Sequence, residues 1–106
     1  MRALLVTRAA EADLDDIWMY LNERGELAAD RVIDEISQKF DALCEYPFVG
    51  RTRIDVGDAY RSLPVGAYVI FYTVTDTTLE ISRVLHGACD MMANFPPNSK
   101  GRSRAR

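Results

Sequence analysis

An α+β fold of order β-α-α-β-β-β, a helical hairpin packed on an antiparallel sheet with a short C-terminal helix, follows from three features of this 106-residue sequence. Two long stretches carry apolar residues at helical spacing and are parted by a glycine. Three apolar-rich segments then follow between residues 60 and 86, broken at Val65-Gly66 and Asp76-Thr77, as an antiparallel meander requires. One short apolar run, Ala3-Leu4-Leu5-Val6-Thr7, precedes the first helical stretch and reads as a further strand.

Thr7 is placed to cap the first helix, with Glu11 and Asp13 near its positive end. Leu14, Ile17, Trp18 and Leu21 form its apolar stripe. The acids Asp13, Asp15, Asp16, Asp30, Asp34 and Glu35 read as the solvated surface of the two helices. Gly25 breaks the first helix, and the second runs to about Tyr46 on a stripe of Ala29, Val32, Ile33, Ile36, Phe40, Leu43 and Cys44. Pro47 and Gly50 end it. Residues 51–57 link to the meander with room for a short extended piece, and the meander's strands are expected at 60–64, 67–75 and 78–86.

The side-chain period of two puts Tyr68, Ile70, Tyr72 and Val74 on one face of the middle strand. Two-residue loops at Val65-Gly66 and Asp76-Thr77 would set Ile70 opposite both Arg61 and Arg83. Two arginines and two tyrosines on one sheet face are an odd core, so this face is predicted to point outward as a working surface. Residues 89–95 are expected to form the terminal helix, anchored by Met91, Met92 and Phe95. The domain is thus predicted over 1–95, with 96–106 as a disordered basic tail.

The composition, 48% hydrophobic and 27% charged, is that of a single soluble domain. There is no run long enough to span a membrane and no signal-peptide pattern, so the expected location is cytoplasmic. Cys44 and Cys89 have neither CxxC spacing nor a His/Cys cluster around them, which argues against a metal site and for Cys44 as a buried hydrophobe. Residues 1–58 hold seven Lys/Arg against thirteen Asp/Glu, and residues 59–106 hold six against three. The acids therefore go to the helices, and the surplus arginines to the sheet and tail.

No Walker loop, GxGxxG, HExxH or nucleophile elbow is present, and no cofactor is expected. His86 is the only histidine; it is either a strand-end residue or a proton-transfer group beside Arg83. Arg61 and Arg83 can clamp phosphate or receive acidic side chains of a protein partner; the plainer alternative is that either is satisfied by the chain's own acidic helices. Tyr68 and Tyr72 fit a sheet or interface cover better than base stacking. Trp18 is either core or an interface anchor.

The ordered set Ala12-Asp13-Leu14-Asp15-Asp16-Ile17-Trp18, Ala28-Ala29-Asp30-Arg31, Leu43, Pro47, Gly50-Arg51, 60–66 (YRSLPVG), 68–72 (YVIFY) and 81–87 (ISRVLHG) resembles the RelE/ParE superfamily of type II toxin–antitoxin toxins, and within it the ParE branch. The resemblance implies a RelE/ParE-like fold and a non-enzymatic toxin that poisons DNA gyrase. It also implies a cognate antitoxin that wraps the toxin into a hetero-oligomer, and contact with nucleic acid only through the target. On this reading Arg61, Tyr68, Tyr72, Arg83 and His86 are candidate target contacts. Trp18, Leu21, Ile33 and Ile36 are candidate antitoxin contacts. The alternative, a RelE-type ribosome-dependent mRNA endoribonuclease, would assign catalysis to Arg61, Arg83 and His86. The chain lacks the lysine-rich link and the tyrosine after His86 of that branch. Cys89 stands where ParE relatives commonly carry an arginine.

Overall fold

The computed structural model describes residues 1–88. The expected terminal helix at 89–95 and the tail at 96–106 lie outside the described residues.

Thr7 follows strand β1 (Ala3–Val6), and its side-chain oxygen accepts from Ala10 N at 3.1 Å, starting helix α1 (Arg8–Asn22). Gly25, at φ 137°, turns the chain into helix α2 (Glu26–Glu45). That backbone angle is open only to glycine without strain. Then come β2 (Arg51–Thr52), β3 (Arg61–Val65), β4 (Tyr68–Val74) and β5 (Thr78–His86).

The five strands form one sheet of order β1-β5-β4-β3-β2. β1 lies parallel to β5, and the other pairs are antiparallel. The sheet is therefore mixed, not antiparallel as expected. Pairing between the first and last strands leaves no local trace in the sequence, since the whole hairpin and the rest of the meander separate them.

The helix stripes pack onto one face of this sheet. Ile36, Leu43, Ile70, Tyr72, Leu79 and Ile81 are fully covered, with Phe40, Cys44 and Val84 beside them. Each such side chain contributes about 1.5–3 kcal/mol relative to exposure, so this layer dominates the stability. The face bearing Tyr68, Ile70 and Tyr72 is thus the inner face, and the expectation that it points outward is corrected. Alternation tells which residues share a face; here both faces are largely apolar, and only the docking of the hairpin chooses between them. The opposite face carries a smaller cluster of Val56, Phe71 and Leu85 beneath the 53–60 link, with Tyr60 and Val69 alongside.

The registers differ from expectation in two places. The first hairpin loop is Gly66-Ala67, with Gly66 at φ 60°, so Val65 pairs with Tyr68 and Arg61 with Tyr72. A glycine at positive φ belongs inside such a loop, and moving the loop by one residue shifts the register by two without changing parity. The Asp76-Thr77 loop is as expected, but a bulge at Ser82 intervenes: Tyr72 pairs with Ile81 while Phe71 pairs with Arg83. Beyond the bulge the parity is reversed. Ile70 faces Leu63 and Val84, and neither arginine lies opposite it.

Candidate interaction site

Asp13 comes from the middle of α1 and is only 9% exposed. It occupies a stripe position, three residues after Ala10 and four before Ile17, and both neighbours are buried. Its carboxylate accepts from Arg83 Nε and Nη2, each at 2.8 Å, and from Val84 N at 2.9 Å. β1 stops pairing with β5 at Ile81, and beyond that point Asp13 takes over the strand's open edge. Asp13 is therefore a clamp between helix and sheet rather than part of a solvated acidic surface. A carboxylate on an apolar stripe is the signal that marks such a residue in advance, since burial demands partners for it.

Arg61 is also committed to the chain. Its Nη1 donates to Gly50 O at 2.8 Å and to Phe48 O at 3.4 Å, and its guanidinium sits 5.0 Å from the Phe48 ring centre. Arg61 and Arg83 thus do not emerge side by side. One braces the turn after α2, and the other joins β5 to α1. Tyr72 is buried to 0% exposure; its hydroxyl accepts from Gly50 N and donates to Pro47 O, each at 2.9 Å. Burial pushes its pKa up from the usual tyrosine value, partly offset by the Gly50 amide and by Arg61. Tyr72 cannot contact a partner, and its expected role as a target contact is corrected to that of a core latch.

Tyr68 and His86 lie at the other end of the sheet, with rings edge to face at 5.5 Å. Burial pushes the Tyr68 hydroxyl up as well. His86 is exposed, and its Nδ1 accepts from Ala88 N at 3.0 Å. The two residues border a groove of about 590 Å³ between the hairpin and the β3–β4 turn. Ile17, Leu21, Val32, Val65, Tyr68, Val84 and Leu85 supply its apolar lining, and Asp16 and Glu35 stand among its polar residues. Tyr20 and Arg24 form another part of its wall, bonded at 3.1 Å with the guanidinium 5.0 Å from the ring centre.

Of the four expected antitoxin contacts, Leu21 lines this groove. Ile36 is fully buried and inaccessible, and Ile33 is half-buried against the core. Trp18 is half-buried outside the groove lining, with Nε1 donating to Asp30 at 2.9 Å. Hairpin periodicity does not reveal the groove, because its far wall comes from the β3–β4 turn and the end of β5. Among the described residues no group of three or more His, Cys, Asp or Glu is placed to hold a metal ion. Among them, too, no helix is long and apolar enough to cross a membrane. Cys44 is a buried free thiol, its pKa raised chiefly by burial.

Residues 4–102 match the family described as the ParE toxin of the type II toxin–antitoxin system parDE. Toxin ParE1 of Caulobacter vibrioides is 35% identical over 97 residues, covering 90% of this chain and 99% of that protein. Toxin RelE2 of the same organism is 34% identical over 88 residues, covering 83% and 98%. A solved chromosomal ParDE toxin–antitoxin system from P. aeruginosa superposes with TM-score 0.72 at 24% identity, covering 81% of this chain and 96% of that one. The toxin–antitoxin complex RelBE2 of Mycobacterium tuberculosis gives 0.65 at 22% identity, covering 80% and 96%. These likenesses, on a fold of two helices over a five-stranded mixed sheet, make the chain a member of the ParE toxin family within the RelE/ParE superfamily of type II toxin–antitoxin systems.

Proposed function

We propose that this toxin acts by binding DNA gyrase without performing catalysis of its own, and that a cognate antitoxin neutralises it. The likeness to Toxin ParE1 over nearly the full length of both chains carries this reading. The disposition of the basic residues supports it. Arg61 and Arg83 are held by backbone carbonyls and by Asp13, and His86 hydrogen-bonds the chain beyond β5; they do not converge on a common point as phosphoryl chemistry would require. Purified toxin is expected to inhibit gyrase supercoiling. Normal supercoiling at saturating, folded toxin rejects the gyrase reading.

The antitoxin is assigned to the groove between the hairpin and the β3–β4 turn, where an amphipathic helix can lay its apolar face. Hydrogen exchange with and without antitoxin tests the placement. Protection is expected at the exchangeable amides around Leu21, Val65 and Tyr68, and its absence there contradicts the assignment.

The similarity to Toxin RelE2 motivates one competing reading, a ribosome-dependent ribonuclease. Discrete mRNA cuts at the ribosomal A site during translation would favour it over gyrase binding.

A further inference from the structure

The turn that follows α2 carries three large apolar side chains in water: Tyr46, Phe48 and Val49 are 66%, 59% and 64% exposed. Its backbone is nonetheless tightly held. Pro47 O accepts from the Tyr72 hydroxyl and Gly50 N donates to it, each at 2.9 Å, while Arg61 reaches Gly50 O at 2.8 Å. From the opposite edge of the sheet Arg2 also reaches this turn. Its backbone N donates to Cys44 O at 3.2 Å, and its guanidinium lies 5.4 Å from the Phe48 ring centre, against 5.0 Å for Arg61. Arg51, exposed on β2, adds a third cation just after Gly50.

An exposed apolar group gains little by being held rigidly unless something covers it. Aromatic residues interleaved with arginine are the composition of an interface centre. A turn already pinned from below loses little freedom on association. Neither salt bridge of the described residues, Arg53–Asp55 or Arg83–Asp13, involves Arg2, Arg51 or Arg61; Asp55, already bonded to Arg53, lies within electrostatic reach of Arg51, and three arginines against this one shared carboxylate leave the patch positive on balance. That charge selects a partner with carboxylates around an apolar socket. None of the residues lining the groove belongs to this patch, so the two surfaces can be occupied independently.

We propose that Tyr46, Phe48 and Val49, with Arg51 beside them and Arg2 and Arg61 as braces, form the surface by which this toxin grips an acidic-rimmed apolar socket on its protein target. This rests on the reading of the chain as a toxin with a protein target. It moves the target surface from the sheet face to the turn after α2.

The experiment expresses the full chain as wild type, as the double variant Phe48→Ser/Val49→Ser, and as Arg51→Glu. Growth inhibition is read at matched protein levels, alongside antitoxin affinity and thermal stability of each purified protein. The double variant is expected to remain folded and to bind antitoxin within about threefold of wild type, yet to need about tenfold more protein to arrest growth. Arg51→Glu is expected to lose potency in the same direction while staying folded. The proposal is overturned if the folded double variant arrests growth as wild type does, whether or not its antitoxin affinity falls. A wild-type chain that neither arrests growth nor binds antitoxin would instead overturn the toxin reading beneath it.

Discussion

Replacing Asp13 with alanine tests the central linkage of the fold. The substitution removes an acceptor from three donors at once: Arg83 Nε, Arg83 Nη2 and Val84 N. A buried backbone donor left without a partner costs about 1–3 kcal/mol. Breaking a fully buried ion pair costs about 3–5 kcal/mol. Here, however, the Arg83 and Asp13 side chains keep 25% and 10% of their exposure, so water takes up part of the loss and about 1–2 kcal/mol remains. The expected total is about 2–5 kcal/mol, a large share of the roughly 5–15 kcal/mol that holds an ordinary domain together. For a domain of this size that lowers Tm by on the order of 10–25 °C. Asp13→Asn keeps one oxygen for Val84 N and is expected to cost about half as much. Urea and thermal unfolding followed by circular dichroism measure both. An Asp13→Ala variant within about 0.5 kcal/mol of wild type, or Asp13→Ala and Arg83→Ala costs that simply add in the double variant, would refute this linkage.

Three further outcomes are expected. A Cβ at Gly50 would lie 2.7 Å from Ser62 O, 2.9 Å from Tyr72 Cε1 and closer still to the Tyr72 hydroxyl, so Gly50→Ala should cost about 2 kcal/mol or more; an unchanged urea midpoint would contradict it. Tyr72→Phe leaves Gly50 N and Pro47 O without their buried partner and should cost about 1–3 kcal/mol near neutral pH. Because burial raises the Tyr72 pKa, the stability it contributes is complete below the usual tyrosine value of about 10 and is lost as pH rises through the folded value. Unfolding titrations from neutral to alkaline pH should therefore show a decline in wild type that is shallower in Tyr72→Phe, where Tyr68, shifted the same way, still contributes. Thr7→Ala removes both the cap on Ala10 N and a 3.0 Å bond to Ser82 O, and should lower stability by about 1 kcal/mol or somewhat more by the same measurement.

Helices and their buried stripes were legible in the sequence because a 3.6-residue period depends on neighbours within two turns. Ala29, Ile36, Phe40, Leu43 and Cys44 are buried as their spacing requires, and Thr7 and Gly25 stand where the caps and breaks fall. The turn at Asp76-Thr77 was equally local. The candidate site was less legible. Leu21, Tyr68 and His86 border the groove, but the residues that complete it come from distant elements.

What the sequence determined by itself was the order of the helices and of the strands other than β2, and which side chains share a face within one strand, since these are set by short-range geometry. Tertiary structure alone decided which sheet face the hairpin covers, that β1 pairs with β5, and that one extra residue at Ser82 separates the two arginines. Each of these depends on contacts between segments far apart in the chain, whose free energies belong to the assembled core and not to any window of residues. That is why Arg61 and Arg83, adjacent by simple register, ended as a brace for the turn after α2 and a clamp on Asp13.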